Sequence, residues 1–259
     1  MKKTLLAATV ALGLMAGQAD AFTLDLTDFG GGTYTTSAIG YQGVIDGIQT
    51  APNVVGSTFT QTGYLGFFTV KNLSGVGSTP INAGGYNLYL YAQGLTGTIV
   101  AQESISDYYT YNSGVGAISI VLDTDWDFTN GVDATLATLS LTSPSGGTSQ
   151  NFVVGGTNTN SAYSLSAIFT SALDGVFSDL GYDYANLPTG YTAIASAYGN
   201  GQFTDISFLS NTNEFAFTTE SGGQFTSTVV PEPSTMMLLG LGMFGLAVYG
   251  KRRMDSNKA

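Results

Sequence analysis

Tyr86-Asn87-Leu88-Tyr89-Leu90-Tyr91-Ala92-Gln93 decides the fold class. Leu88, Leu90 and Ala92 fall on one side of an extended chain, and Asn87, Tyr89, Tyr91 and Gln93 on the other. No 3.6-residue period gathers those leucines on one face, so the stretch reads as a strand with one apolar and one half-wet, aromatic side. Gly116 to Asp123 repeats the pattern, with Ile118, Ile120 and Leu122 inward. Phe22 to Leu26, Thr58 to Leu73, Val132 to Leu141, Gln150 to Val154, Tyr191 to Tyr198, Gln202 to Leu209 and Asn213 to Thr219 read as further strands. Within Thr58 to Leu73, Leu65, Phe67 and Thr69 face one way, and Gly66, Phe68 and Val70 the other. Loops are expected at Ser74 to Gly85 and at Ser143-Pro144-Ser145-Gly146-Gly147, where glycine and proline cluster.

One stretch breaks the two-residue rhythm. Leu165, Ile168, Phe169, Ala172, Leu173, Val176, Phe177 and Leu180 follow helical spacing, with Gly181 as a stop signal. The expectation is a mainly β protein, a β-sandwich or jelly-roll-like body, with one amphipathic helix over about 162–180. Residues 22–220 form the exported β-rich domain and 221–230 a flexible tether.

Composition removes whole classes of chemistry. The chain holds no Cys and no His, which excludes cysteine nucleophiles, Ser-His-Asp constellations and the usual zinc sites. From Phe22 to Val230, fifteen acids face the single base Lys71, so this stretch carries net −14. Such a surface repels phosphate backbones, and no nucleic-acid partner is expected. Divalent cations and neutral sugars suit it better. The tyrosines at Tyr89, Tyr91, Tyr108, Tyr109 and Tyr111 could stack on a sugar ring, or could pack as cross-strand pairs or a barrel wall.

Asp123-Thr124-Asp125-Trp126-Asp127-Phe128-Thr129-Asn130-Gly131-Val132-Asp133 is the one chemical constellation in the body. Asp123, Asp125 and Asp127 match the first three ligand positions of an EF-hand calcium loop. Phe128 stands where that loop needs Gly, and Ala134 where it needs a bidentate Glu. The candidate metal set is therefore a non-EF one, Asp123, Asp125, Asp127, Asn130 and Asp133. Its competitor is a solvated turn, so no cofactor is expected, and Ca²⁺ is the only one the pattern admits.

The two ends carry addressing signals. Lys2 and Lys3 precede the mostly apolar Thr4 to Gly17. Ala19-Asp20-Ala21 then gives an A-x-A cleavage site, so 1–21 reads as a signal peptide. At the other end come the stiff elbow Pro231-Glu232-Pro233 and the uncharged run 234–250. Lys251-Arg252-Arg253 follows as a cationic stop, with 254–259 as a cytoplasmic trailer. As a helix the run would reach roughly 25 Å, close to a ~30 Å hydrocarbon core.

The order Pro-Glu-Pro, glycine-containing hydrophobic helix, Arg pair resembles the PEP-CTERM sorting tail of Gram-negative bacteria. The body is faintly similar to PEP-CTERM proteins of flocs and biofilm matrix. It shares an opening Phe-Thr-Leu-Asp strand, Gly-Ser-Thr-Phe-Thr at Gly56 to Thr60 and the Tyr/Leu strand at Tyr86. The resemblance implies exosortase as a partner that acts at 231–233. It implies a precursor held in the membrane by its C-terminal helix, and delivery of the mature form to the cell surface or matrix. The function expected is that of a non-catalytic surface or extracellular-matrix protein, possessing no catalytic residue and having extracellular polysaccharide as a further partner. Its competitors are a calcium- or glycan-binding adhesion module and a glycoside hydrolase using two carboxylates.

Overall fold

The computed structural model describes residues 21–50, 53–73, 77–104, 106–124, 132–150, 159–209 and 214–232, and positions 237–238, 240–244 and 246. The described part is mainly β. Strands β1 (Phe22–Asp25) and β2 (Thr33–Thr36) are short, and β3 (Ile39–Thr50) and β4 (Thr58–Lys71) are long. Next come β5 (Ser78–Pro80), β6 (Asn87–Gln102), β7 (Ser106–Tyr111) and β8 (Ala117–Asp123). The series ends with β9 (Ala134–Gln150), β10 (Thr159–Ala172), β11 (Phe177–Asp179), β12 (Tyr182–Asp183), β13 (Tyr191–Phe208) and β14 (Glu214–Pro231).

The long strands pair antiparallel in chain order, and the ring closes. β3 pairs β4, β4 pairs β6, and β9, β10, β13 and β14 follow, with β14 returning to β3. Between β6 and β9 the place is shared end to end. β8 spans residues 87–93 of β6, and β7 spans residues 97–102. This is an up-and-down barrel of eight staves, in which every long stave has a strand neighbour on each side over part of its length. The β class expected from the sequence stands. The layers differ from a sandwich, because one closed sheet faces itself across the core.

Buried side chains confirm the inward set of the opening stretch. Leu88, Leu90 and Ala92 line the core with Ile118, Ile120 and Leu122. β4 needs a correction. Phe67 pairs Tyr41 and Thr69 pairs Gly40, so Phe68 is the extra residue of a bulge. The bulge flips the alternation, and Val70 turns inward beside Phe67.

The helix expected over 162–180 is absent. β10 runs through Thr159–Ala172 and β11 follows at Phe177–Asp179. Tyr163, Leu165 and Ala167 already alternate toward the core. A register shift between Phe169 and Ser171 then places one extra residue, Thr170, in β10, so Ala172 follows Phe169 at three after Leu165 to Phe169 at four, which imitates a helical period. The loop expected at 143–147 is likewise inside a strand, β9. Its Ser143-Pro144-Ser145 segment bulges opposite Leu165, and the Ser145 hydroxyl accepts the Ser166 N–H at 2.8 Å. Residues 221–230, expected as a tether, are the second half of β14 and pair with β13 along their length.

A small sheet, ordered β12-β11-β1-β2, plugs the end of the barrel where β14 finishes. Phe22, Leu24 and Leu26 are fully buried there. Phe22 meets Phe225 edge-on at 6.2 Å, and Phe177 and Tyr184 of the plug pack on Phe169 of β10. The Asp179 carboxylate accepts hydrogen bonds from the Val229 N–H and the Thr228 hydroxyl, both at 2.9 Å.

Candidate functional site

The sorting elbow begins inside a strand. Val230 pairs Thr192 and Pro231 pairs Tyr191. The Glu232 N–H then donates to the Gly190 carbonyl at 2.8 Å. Proline has no N–H to give a ladder, and the end of a strand is where that loss is tolerated. Pro233 lies outside the described residues, as do Lys251, Arg252 and Arg253. Of the run 234–250, the described positions 237–238, 240–244 and 246 are helical. Met237, Leu238, Leu241, Met243, Phe244 and Leu246 are all exposed there, a run of apolar surface. Among the described residues no helix is long and apolar enough to cross a membrane. Ala21 is described next to fully buried Phe22, while Ala19 and the rest of 1–20 lie outside the described residues.

The barrel interior is the second candidate. It holds a cavity of about 50 Å³. Leu65, Leu90, Ala92 and Ile118 make one part of its wall, and Ser161, Tyr163, Thr219 and Ser221 another. Two inward glycines make room for phenol rings. A Cβ at Gly199 would come within 2.9 Å of the Tyr163 hydroxyl, and one at Gly223 within 2.7 Å of the Tyr41 hydroxyl. Among the described residues the hydroxyls of Tyr41, Tyr163 and Thr219 have no hydrogen-bond partner. Burial raises the Tyr41 phenol far above its ordinary value, and the neighbouring Tyr163 adds to the shift. Burial also raises Tyr109 and Tyr111. For Tyr163 burial outweighs the opposing influence of the nearby Tyr41 and Ser221 hydroxyls.

This interior is neutral and small. A cavity of about 50 Å³ has room for about three to five waters, at roughly 10–15 Å³ each, and is well below the ~150 Å³ that admits benzene. No sugar ring fits inside. Tyr109 and Tyr111, two of the tyrosines considered for sugar stacking, are spent on the core. Each meets Phe59 edge-on at 5.5 Å, and Tyr111 donates to the Gln61 side chain. Tyr89 is buried as well.

At the end opposite the plug, fully buried Asp107 accepts hydrogen bonds from the Asn53 and Gln102 amides, each at 2.7 Å. Gln49 donates to Asn53 at 2.6 Å, which ties β3, the β3–β4 connection, β6 and β7 together. Sequence reasoning missed this clasp. Its only signal was an isolated acid between polar amides, with nothing to show that they converge.

The Asp-rich loop is partly described. Asp123 is buried at the end of β8. The Asp133 N–H donates to the Leu122 carbonyl at 3.1 Å, which brings Asp133 to the base of the same loop. Its carboxylate accepts both the backbone N–H and the hydroxyl of Thr124, at 2.7 and 2.8 Å. Asp125, Asp127 and Asn130 lie outside the described residues. Among the described residues no three potential metal ligands are gathered together.

Residues 229–253 match the PEP-CTERM protein-sorting motif. The match starts two residues before Pro231 and ends on Arg253. No curated protein and no solved structure matches the chain. The motif marks an exported protein sorted to the cell surface, with exosortase as its processing partner and a C-terminal tail that associates with the membrane.

Proposed function

We propose that this chain, which carries a PEP-CTERM sorting motif, is a non-catalytic surface or extracellular-matrix protein of biofilm or floc. The observation that carries the reading is the sorting motif, joined to the barrel at the end of β14. In the proposed order of events the signal peptide directs export, and cleavage after Ala21 leaves Phe22 to fold into the plug. The run 234–250 holds the precursor in the inner membrane, with Lys251, Arg252 and Arg253 on the cytoplasmic side. Exosortase acts at 231–233 and passes a finished barrel outward. Neutral extracellular polysaccharide is the partner that a net −14 body accepts, and the interior volume confines such contact to the outer face.

The test is direct. Pro231-Glu232-Pro233 is replaced by three alanines, and membrane, surface and medium fractions are weighed by intact-mass spectrometry. Wild type should mature to a chain starting at Phe22 and lacking the tail beyond the triplet. The alanine variant should stay in the membrane as a precursor. Release of that variant at the wild-type level would defeat the reading.

A further inference from the structure

The last stave does not stop short of the sorting elbow. On one edge, the Val229 N–H is held by the Asp179 carboxylate at 2.9 Å. On the other, Thr192 and Tyr191 pair Val230 and Pro231, and the Gly190 carbonyl holds the Glu232 N–H at 2.8 Å. The receiving turn is itself fixed. The Tyr191 N–H donates to the Pro188 carbonyl at 3.1 Å, and Gly190 sits at φ 86°, where a Cβ would be strained. The Tyr191 ring packs on Tyr182 of the plug, with centroids 5.1 Å apart.

A peptide-cleaving or peptide-transferring enzyme takes its substrate as an extended segment and makes main-chain hydrogen bonds to it. Backbone groups already given to Gly190 and Asp179 are closed to such an enzyme. Upstream the geometry differs. β14 is paired on both sides only over 214–225, where β3 lies along it. Residues 226–231 have one strand neighbour, β13. The end of the stave can therefore peel while the barrel stays closed, as strand ends fray at low cost.

We infer that the Pro188–Tyr191 turn is a latch on the sorting elbow. Processing draws on an unlatched state in which residues 229–232 have left Gly190, Tyr191 and Asp179. The inference rests on the exosortase reading for its biological consequence, but the latch is a property of the folded chain. It makes the turn and its Tyr182 support positioning residues for the sorting reaction, though they lie about forty to fifty residues before Pro231. It also leaves β14 intact in the mature protein, since the ladder extends to Pro231.

The purified full-length precursor in detergent micelles, treated with prolyl endopeptidase, tests the latch without exosortase. The rate of the Pro231–Glu232 cut is followed by mass spectrometry. A four-residue Gly-Ser insertion between Val230 and Pro231 frees the elbow and should speed the cut about tenfold, equivalent to 1.4 kcal/mol of opening. Thr192→Cys with Val230→Cys staples the two members of one rung in a chain that has no other Cys. When oxidised it should slow the cut, dithiothreitol should restore it, and each single variant should match wild type. Tyr191→Ala should speed the cut with no insertion, a second route if the staple does not close. Equal rates for wild type, insertion and Tyr191→Ala would overturn the latch. In cells the stapled precursor should mature slowly. If the alanine triplet still traps the precursor while the staple has no effect, the latch fails and the sorting reading survives. Normal release of the alanine triplet, with the in vitro rates as expected, would leave the latch standing and remove exosortase from it.

Discussion

Raising the pH above 10 should unfold the barrel, and the slope of that loss can be worked from four side chains. Burial holds the phenols of Tyr41, Tyr109, Tyr111 and Tyr163 in their protonated form. In the unfolded chain a tyrosine gives up its proton near pH 10. Above that value the unfolded state binds fewer protons than the folded one, so unfolding becomes easier as pH rises. Below it both states are protonated and the contribution is fully present. Each phenol removes at most about 1.36 kcal/mol per pH unit, for as long as it stays protonated in the folded state, so four remove at most about 5 kcal/mol per unit. At that limiting slope a domain of about 5–15 kcal/mol is exhausted within roughly one to three units above pH 10. The assay is urea unfolding at a series of alkaline pH values, with phenolate absorbance and far-ultraviolet circular dichroism read together. The four ionisations should coincide with loss of β signal, and Tyr111→Phe should lower the slope by about a quarter. Smooth ionisation of all the tyrosines near pH 10 with the β signal intact would refute the buried layer, and with it the closed interior.

Phe67 and Phe68 give a sharper local test of the bulge. Phe67→Ala should cost about 3–5 kcal/mol, because its ring is buried against Tyr41 and Phe225, whereas half-exposed Phe68→Ala should cost under about 1 kcal/mol in thermal melts. A chain ending at Glu232 should keep the barrel, and one ending at Ser221 should lose it, as read by circular dichroism, because the missing residues supply the ladder from Gly222 to Pro231. Millimolar Ca²⁺ and Mg²⁺ should shift the melting temperature alike, and Asp125→Ala should matter no more than Asp205→Ala, since the Asp133 carboxylate is already taken by Thr124. A Ca²⁺-specific rise abolished by Asp125→Ala would instead establish a metal site at Asp123 to Asp133.

Local alternation was enough to read the β class and the inward faces of β6 and β8. It failed wherever the chain spent a residue on a bulge. Leu165, Phe169 and Ala172 lie toward the core from β10, and the shift at Phe169–Ser171 gives them the spacing of a helix. Glycine misled in the same way. Gly146-Gly147 read as part of a loop and Gly222-Gly223 as part of a flexible tether, but they lie within β9 and β14, where Gly147 and Gly223 face the Tyr109 and Tyr41 hydroxyls. Closure was illegible for a different reason. The β14–β3 seam joins Phe225 to Ile39 and Glu214 to Thr50, and nothing local in either strand names the other. The sorting elbow was legible because proline and charge act on the chain directly, but its attachment to Gly190 was not.

That seam sets the order in which folding and sorting can occur. β3 lies near the beginning of the exported chain and β14 near its end, so the barrel cannot close until the residues just before the elbow are outside. The plug obeys the same rule, because Phe22 needs Phe225 and Asp179 needs Val229. Both ends of the described body therefore meet at one end of the barrel, where Phe22 packs on Phe225 and Glu232 is held by Gly190. On the proposed reading, a precursor tethered through 234–250 holds its plug toward the membrane and its Asp107 clasp away from it. The last contacts made on folding are then those that shield the elbow. An incompletely folded chain leaves Gly190 and Asp179 out of place, so it would present the elbow unlatched and be cut early. Destabilising the far end through Asp107→Ala should thus hasten maturation of the precursor while lowering the melting temperature. A latch independent of the fold would lower the melting temperature alone.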